Sequence, residues 1–522
     1  MGIKTSWVLA TLGLVAGCSN ATSPLHYFDG GFGGSDAGAR ADIGSPPPEM
    51  EVDVRFEPPA VGASVLYATN TGAGRVAVIH ASDFSIETVG VGASPMPAVA
   101  APGRDLALSL DRGSSTVSIL RTTGAVTTVT PVPIEHDANE VAFDPTGRFA
   151  VLFEAPRPGV ARRNFQDASV LVLEDGAERL VRVVVGYGPS RVAFDPAGTR
   201  ALVVTEDGVS QIDLAGLPTE GPIRAPLLGF DTLERLGETL LTPDGDFALA
   251  RIGASEIRQL DLRDGSIVVA DLASLAPGEA IDVTDLDVLP SGNELVVVVR
   301  SHSAVIRMPI GADFADSTRW EALDLSGQPV GSLAFSPTGD LFVSYTTDPT
   351  VEAIAIVDVA AAEVRTVALR KSVRGLAISP DGRFALVLHH AVAHPGGDED
   401  ALVDRSEGYS LVDLATGFAR LALVDAAPGP DAFVLDPTSG RLFLALRDDA
   451  RAVHELQVVD LASFAVDRVP LLAPPTTVGV FAALGRAFVG QEANGGRVTF
   501  YLWGERETHT VAGFELAARI RR

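Results

Sequence analysis

A stretch of twelve residues near position 390 holds the side chains best suited to bind a metal ion. Three of the chain's nine histidines and three carboxylates fall between positions 389 and 400. Imidazole together with carboxylate binds Zn²⁺ or a similar divalent ion. The spacing matches no known metal motif, and adjacent histidines would point to opposite faces of a strand. A divalent metal site and a solvated polar loop therefore both stay open; the candidate ligands are His389, His390, His394, Asp398 and Asp400.

A short basic segment is the second candidate site, and it is unusual in a chain whose formal charge is −27. Arg157, Arg162 and Arg163 could bind a carboxylate, a phosphate or an acidic patch on a partner. The alternative is a solvated charged loop. His136 and Asp137 precede an apolar strand and are further candidates for binding a ligand or partner, although a single histidine there is more often structural than catalytic.

Familiar catalytic motifs are missing from the sequence. It contains no Gly-x-Ser-x-Gly elbow, no glycine-rich phosphate loop and no haem-attaching Cys-x-x-Cys-His. Cys18 is the only cysteine, so neither a thiol mechanism nor a disulfide framework is expected in the folded part. These absences favour a binding protein over an enzyme.

The composition bounds the fold class and the partners. With 522 residues, 46% of them hydrophobic, the chain can bury a large core. The 52 glycines and 34 prolines separate short runs of apolar residues, which is typical of all-β proteins. Nucleic acid is excluded as a partner, because phosphate binding needs clustered Lys and Arg.

The N-terminus reads as an export signal. Lys4 provides the positive charge, and residues 7–15 form an apolar segment too short to span a bilayer. The segment ends in Leu14-Val15-Ala16-Gly17-Cys18.

This ending resembles the lipobox of bacterial lipoproteins, which implies a lipid-modified Cys18 and a signal peptide over residues 1–17. Several acyl chains give durable membrane anchoring. Ser19, where an Asp would favour inner-membrane retention, implies an outer-membrane address facing either the periplasm or the cell surface. Residues 18–49 are rich in Gly, Ser and Pro and predict a flexible tether.

The remaining chain, residues 50–522, consists of internal repeats. One hairpin recurs, in which two apolar strands flank a Pro-x-Gly turn. Proline fixes φ, and glycine takes the positive φ that reverses the chain. Three successive intervals between turn prolines are 47 residues long, and the seven clear turns begin at Pro145, Pro196, Pro243, Pro290, Pro337, Pro380 and Pro437.

A third strand follows each hairpin and often ends in Asp plus an apolar residue. We expect this Asp to accept hydrogen bonds from the next turn, because it recurs in one unit after another. It is found at Asp213, Asp261, Asp358, Asp413 and Asp460.

Four antiparallel strands per unit, repeated without linkers, predict the blades of an all-β β-propeller. The segment 186–196, Gly-Tyr-Gly-Pro-Ser-Arg-Val-Ala-Phe-Asp-Pro, resembles the YVTN-type propellers of bacterial envelopes, and the chain is similar to WD-repeat-like propellers without their Trp-Asp dipeptide. About ten units can be counted. One large ring is favoured over two smaller rings.

In such a propeller the Pro-x-Gly hairpins lie on one face, here called the hairpin face. The loops between second and third strands, and those leading into each first strand, lie on the other, here called the loop face. Three of these loops are long, at residues 154–168, 389–408 and 447–455, and loops on a rigid scaffold commonly bind ligands.

The sequence therefore predicts an envelope binding or scaffolding module for a protein, a glycan or a small ligand. The alternative is a propeller enzyme, similar to lactonases or quinoprotein dehydrogenases, with a metal or cofactor at the channel mouth. A role in outer-membrane assembly is a third possibility, implied only by similarity of address and fold.

Overall fold

The computed structural model describes residues 56–517 and 519–520, except positions 175, 220, 233–235, 237, 282 and 427. The predicted signal peptide, Cys18 and the tether lie outside the described residues. The described residues form ten antiparallel sheets of four strands each, two of which carry an additional edge strand. This confirms the all-β propeller with four-stranded blades.

Blades 1 to 5 occupy the first half of the chain. Their strands are β1 (Ala60–Val61), β2 (Val65–Asn70), β3 (Arg75–His80), β4 (Ile86–Gly90); β5 (Val99–Ala100), β6 (Leu106–Asp111), β7 (Thr116–Thr123), β8 (Val126–Pro133); β9 (Glu140–Phe143), β10 (Phe149–Phe153), β11 (Asp167–Val172), β12 (Arg179–Val184); β13 (Arg191–Phe194), β14 (Arg200–Thr205), β15 (Gly208–Asp213), β16 (Ile223–Arg224), β17 (Leu227–Leu228); and β18 (Thr239–Leu241), β19 (Phe247–Ile252), β20 (Glu256–Asp261), β21 (Ile267–Asp271).

Blades 6 to 10 follow without an interruption. Their strands are β22 (Val283–Val288), β23 (Glu294–Val299), β24 (Ala304–Pro309), β25 (Glu321–Asp324); β26 (Ser332–Phe335), β27 (Leu341–Tyr345), β28 (Ala353–Asp358), β29 (Glu363–Ala368); β30 (Val373–Ile378), β31 (Phe384–His389), β32 (Glu407–Asp413), β33 (Ala419–Val424); β34 (Pro428–Asp436), β35 (Arg441–Asp448), β36 (Val453–Asp460), β37 (Val466–Pro470); and β38 (Pro475–Phe481), β39 (Arg486–Gln491), β40 (Arg497–Leu502), β41 (Glu507–Ala512), with β42 (Arg519–Ile520).

Helices are short and lie outside the blades. The α-helices are α1 (Glu399–Arg405) and α2 (Phe514–Ala517), and single 3₁₀ turns occur at Leu272–Leu275, Arg300–His302, Ser317–Arg319 and Ala482–Leu484. Two short strands extend neighbouring sheets in parallel: β16 pairs with β12 of blade 3, and β42 pairs with β4 of blade 1.

The Pro-x-Gly turns form as the sequence predicts. In blade 3 the amide of Gly147 donates to the carbonyl of Asp144 at 2.9 Å, and Gly147 has φ of +65°. One Asp144 carboxylate oxygen accepts from the Phe149 amide at 2.7 Å, so the first residue of the returning strand is held in register. The glycines of the other six clear turns have a positive φ as well.

The aspartates at the ends of third strands accept hydrogen bonds from the following turn, as expected. Asp460 accepts from the amide of Ser463 at 2.8 Å, and this bond holds its pKa below the usual range. Asp413 accepts from the amide of Thr416 at 2.8 Å. These carboxylates shape the turn between third and fourth strands.

The ten blades close into one ring. Each of ten apolar clusters contains side chains from two consecutive blades, and one of them joins blade 10 to blade 1. At that closing junction Leu66 and Ile79 of blade 1 pack with Phe488 and Phe500 of blade 10. The single ring is therefore confirmed over the two-ring alternative.

Long polar side chains connect consecutive blades near the hairpin face. Each donates to a backbone carbonyl that follows the third strand of the next blade, and we call these contacts the inter-blade clamps. They run forward in chain order at seven junctions: Arg121 to Leu173, Arg179 to Pro218, Gln211 to Leu262, Gln259 to Gly311, Arg307 to Val359, Arg365 to Leu414 and Arg420 to Phe464.

Candidate functional site

The long loop of blade 8 begins with a histidine that belongs to the scaffold. His389 is fully buried at the end of β31. Its Nδ1 lies 3.1 Å from the carbonyl oxygen of Ser372, and its Nε2 lies 2.7 Å from the Ser410 hydroxyl. Because a carbonyl only accepts, Nδ1 carries the proton and Nε2 accepts from Ser410. Burial lowers the pKa of His389 to about 4, so the ring is neutral with both nitrogens in use.

Other candidate ligands of this loop bind the loop itself. Asp398 precedes α1 and accepts from the Ala401 amide at 2.9 Å, which satisfies one amide at the helix start. The Nδ1 of His394 lies 2.5 Å from a carboxylate oxygen of Asp404. Asp400 lies exposed in the first turn of the helix.

Lys371 fixes the other end of the same helix. Its Nζ donates to the carbonyls of Val403 at 2.6 Å and Asp404 at 3.0 Å, where the helix leaves carbonyls unpaired. The residue is almost entirely buried, and burial lowers its pKa. His390 is half-buried beside it.

The structure does not bring the five candidate metal ligands together. In the part of the chain that the structure describes, no three His, Cys, Asp or Glu residues are grouped so as to hold a metal ion. Metal binding by this loop stays a prediction, and the geometry explains most of its polar side chains by contacts within blade 8.

The three arginines of the blade 3 loop are dispersed among separate partners. Arg157 lies 3.8 Å from Glu140, and Arg162 forms an ion pair with Glu206 of blade 4 at 2.7 Å. Arg163 is exposed, and its backbone amide is directed to the Glu154 carboxylate at 3.1 Å. A convergent anion site made by all three is therefore not formed.

His136 repeats the role of His389. Its Nε2 lies 2.7 Å from the hydroxyl of Ser169 on β11, and its Nδ1 lies 2.9 Å from the carbonyl oxygen of Asp137. Both histidines thus bridge a loop to a buried serine on the third strand of their own blade.

Ionisable side chains from four consecutive blades converge elsewhere, where the first strands begin on the loop face. First strands of neighbouring blades contact one another, which places them around the centre of the ring. Sequence reasoning did not identify this group. We call it the channel-mouth cluster, and it consists of Arg191, Glu238, Arg251, Asp285, Asp287 and Tyr345.

The two arginines of the cluster are anchored on the next blade. Arg191 of blade 4 donates to the Thr239 carbonyl of blade 5 at 2.7 Å. Arg251 of blade 5 donates to the Val283 carbonyl of blade 6. Burial lowers the pKa of Arg191, since the guanidinium is withdrawn from water. These bonds fix both cations beside the carboxyl groups.

The carboxyl groups of the cluster hold their protons to unusually high pH. Burial, followed by the charges of Asp285 and Glu238, raises the pKa of Asp287 to about 8. Burial also raises the pKa of Asp285, against the hydrogen bond that it accepts from the Leu333 amide at 3.0 Å. Burial and the same aspartates raise the pKa of Tyr345 to about 12. No hydrogen bond joins the side chain of Asp287 to another described residue.

This arrangement offers both donors and acceptors to a ligand in the channel mouth. At neutral pH Asp287 is largely protonated and can donate, while Asp285 and Glu238 can accept. Groups with displaced pKa values that meet in a concave site are typical of ligand-binding and catalytic centres.

A cleft of about 330 Å³ opens beside the cluster, between blades 6 and 7. Its walls include Arg300, Gln328, Val330, Thr346 and Asp348. Thr346 directly follows the cluster residue Tyr345 in the chain, but the six cluster residues themselves do not line the cleft.

One sequence signal could have located part of the cluster. The residue five positions before the turn proline is charged in four consecutive blades, and in each it lies at or near the start of the first strand. These residues are Glu140, Arg191, Glu238 and Asp285.

Fold and channel mouth together define the class of this protein: a ten-bladed β-propeller with an ionisable site on its loop face. No family model matches the chain, and no curated protein matches it. Similar solved structures do exist. A eukaryotic initiation factor is 14% identical, with 77% of this chain and 94% of that chain covered and a TM-score of 0.51.

Two further solved structures are similar at lower TM-scores. Dihydro-heme d1 dehydrogenase NirN in complex with DHE is 14% identical over 68% of this chain and 74% of that chain, with a TM-score of 0.41. Apo AztD from Citrobacter koseri is 15% identical over 60% of this chain and 86% of that chain, with a TM-score of 0.34. Likeness at these identities concerns the fold alone.

Within the described ranges, no helix has both the length and the apolar character needed to cross a membrane.

Proposed function

We propose that this chain is a lipid-anchored binding module of the bacterial envelope, in which the propeller presents its loop face to a ligand or partner. The lipobox-like residues that end at Cys18 support the anchor, and the outer membrane is the address that Ser19 favours. The ring supports a scaffolding role, because ten apolar junctions hold the loops in fixed positions.

One observation carries this proposal. Six polar side chains from four blades meet at the channel mouth, and burial of their carboxyl groups keeps at least one of them protonated near neutral pH. A carboxyl group withdrawn from water without a hydrogen bond costs folding free energy, and the Asp287 side chain has no such bond to a described residue. A ligand that bonds with it would offset this cost, which gives the site a reason to exist in a binding protein.

Cross-linking in intact envelopes tests the binding role. A photoreactive amino acid at Gln328 would report from the loop face, and one at Thr338, in the Pro-x-Gly turn of blade 7, would serve as the matched control on the hairpin face. We expect a defined adduct from Gln328 only, and its loss on Asp285→Asn. Equal adducts from both positions would contradict a binding role of the loop face.

Replacement of the anchor cysteine tests the address. Cys18→Ser removes the thiol to which the lipid would be attached. We therefore expect the variant to leave the membrane fraction and to lose labelling by a clickable fatty acid. Ser19→Asp should keep the label and move the protein to the inner membrane. Continued membrane association of Cys18→Ser without label would contradict a lipid anchor.

An enzyme is the second candidate, and the raised pKa of Asp287 is the observation that favours it. A carboxyl group that is protonated near pH 7 can act as a general acid. A lactone panel assayed with the full chain, with and without added divalent metal, tests this function. Hydrolysis that disappears in Asp287→Asn would support the enzyme; hydrolysis unaffected by this change would place any activity elsewhere.

A further inference from the structure

Two aromatic side chains form an open surface on the loop face between blades 3 and 4. Phe165 belongs to the long loop of blade 3, and Tyr187 belongs to the connection from blade 3 to blade 4. Their rings are parallel within 7°, with centroids 5.6 Å apart. Both stay in contact with solvent, with exposed fractions of 43% and 40%. We call this pair the Phe165–Tyr187 platform.

The platform is held by backbone hydrogen bonds rather than by its own rings. The Gly188 amide donates to the Phe165 carbonyl at 2.8 Å, which connects the two loops. The Tyr187 carbonyl accepts from the Glu206 amide at 2.8 Å, and the Tyr187 amide donates to the Asp207 carboxylate at 2.8 Å. The rings are thus positioned before any ligand arrives, which lowers the entropy cost of binding.

One cation and two carboxylates surround the platform. The Arg162 guanidinium lies over the Tyr187 ring, 5.7 Å from its centroid, and forms an ion pair with Glu206 at 2.7 Å. The Asp207 carboxylate is bonded to the Tyr187 amide. The edge of the platform therefore offers hydrogen-bond donors and acceptors and one net negative charge, from Asp207, which disfavours an anionic ligand.

We propose that the Phe165–Tyr187 platform binds a neutral hexopyranose unit of a glycan. A pyranose presents a face of C–H groups, which the negative face of an aromatic ring attracts, and a rim of hydroxyl groups. The solvent-exposed parts of the two rings fit the first feature, and the charged groups of Arg162, Glu206 and Asp207 fit the second.

Other occupants fit less well. An apolar anchor of a protein partner is most favourable in a desolvated pocket, whereas these rings lie on open surface. Nucleic acid would stack on aromatic rings, but a chain of charge −27 repels its phosphates. This inference goes beyond the proposed channel-mouth site, because the platform shares no residue with that cluster.

Titration with defined oligosaccharides tests the proposal. The full lipidated chain, in a detergent without a sugar head group, would be mixed with the hexamers of cellulose, amylose and chitin. Saturation-transfer NMR would detect contact, and calorimetry would give the affinity. We expect at least one hexamer to bind, with magnetisation transferred to its C–H protons.

Matched variants connect binding to the platform. Tyr187→Ala and Phe165→Ala should weaken binding about tenfold, whereas Tyr187→Phe, which keeps the ring, should stay within about twofold. Phe418→Ala removes an aromatic ring that is 58% exposed far along the chain in blade 8 and should change nothing. Melting temperatures would confirm that all four variants fold. Absence of transfer from every hexamer, or equal losses in Phe418→Ala and Tyr187→Ala, would overturn the proposal.

Discussion

The blade 8 loop and the channel mouth both bury ionisable groups, but the two regions differ in the hydrogen bonds of these groups and in the direction of their pKa shifts. His389 has a partner for each ring nitrogen, and its pKa falls to about 4 because the neutral ring is the form that fits. The side chain of Asp287 has no hydrogen-bond partner among the described residues, and its pKa rises to about 8 because burial, and then the neighbouring carboxyl groups, disfavour its charge.

This difference separates a structural polar residue from a functional one. A buried group whose bonds are complete stabilises the fold and has no capacity left for a ligand. A buried group without partners destabilises the fold and is retained where binding or chemistry uses it. Richness in potential ligands made the blade 8 loop the better candidate in the sequence, but the hydrogen bonds favour the channel mouth.

Replacement of the ionisable Asp287 carboxyl group should have the largest effect on the pH dependence of stability. The folded protein keeps this proton up to about pH 8, whereas the unfolded chain loses it near 3.8. Between these values unfolding releases a proton, so stability falls as the pH rises, by up to about 6 kcal/mol in total. In Asp287→Asn this fall should largely disappear. Urea unfolding at pH 5, 7 and 9 measures it, and identical pH profiles for both proteins would show that Asp287 is not buried as described.

The contribution of His389 to the pH dependence of stability should have the opposite sign. Its folded pKa of about 4 lies below the unfolded value of 6.5, so stability is complete above pH 6.5 and falls as the pH drops towards 4, by up to about 3 kcal/mol. His389→Gln should remove this acid-side loss. Ser410→Ala is the control, since it keeps the buried imidazole of His389 and should therefore keep the acid-side loss of stability.

Loss of the Lys371 ammonium should loosen the blade 8 loop. Lys371→Met keeps the buried stem but removes the ammonium donor from the Val403 carbonyl and leaves the Asp404 carbonyl with the Val392 amide alone, which we expect to cost about 2 kcal/mol. Hydrogen exchange of residues 399–408 should accelerate. Arg405→Met, in the same helix turn but exposed, should cost less than about 1 kcal/mol; equal effects of the two changes would remove Lys371 from its role as helix cap.

The smallest expected effect on the free energy of unfolding comes from the two serines that His136 and His389 contact. Ser410→Ala and Ser169→Ala each remove one hydroxyl from an imidazole nitrogen, and each should cost about 1 kcal/mol of unfolding free energy. Similar losses in thermal melts would confirm that His136 and His389 play the same part. A loss confined to one blade would show that the roles differ.

The blades could be predicted from the sequence because residues close together in the chain specify the turns of each blade. Pro145 to Gly147 specify a turn locally, and Asp460 bonds to residues only two or three positions away. The closing junction was harder, because the repeats at both ends of the chain are weak, and it depends on Phe488 and Phe500 packing against residues over 400 positions distant.

The channel-mouth cluster could not be predicted from the sequence for a related reason. The 47-residue period places Glu238 and Asp285 at the same level of adjacent blades, but it cannot give their burial or their mutual repulsion. Likewise, nothing local to His389 indicates that Ser410 faces it across the sheet. Contacts between segments distant in the chain decide whether the hydrogen bonds of a polar side chain are complete within the fold or whether the side chain can bind a ligand.

The direction of the inter-blade clamps has an evolutionary consequence. Blades 3 to 8 each donate to the next blade and accept from the one before, so each of these six units carries both halves of the contact. A duplicated unit inserted between two others would find a donor on one side and an acceptor on the other. The number of blades is then limited by the curvature at which a circle can close, and not by the chemistry between units. Such self-compatible modules allow a lineage to widen its ring by copying one unit at a time.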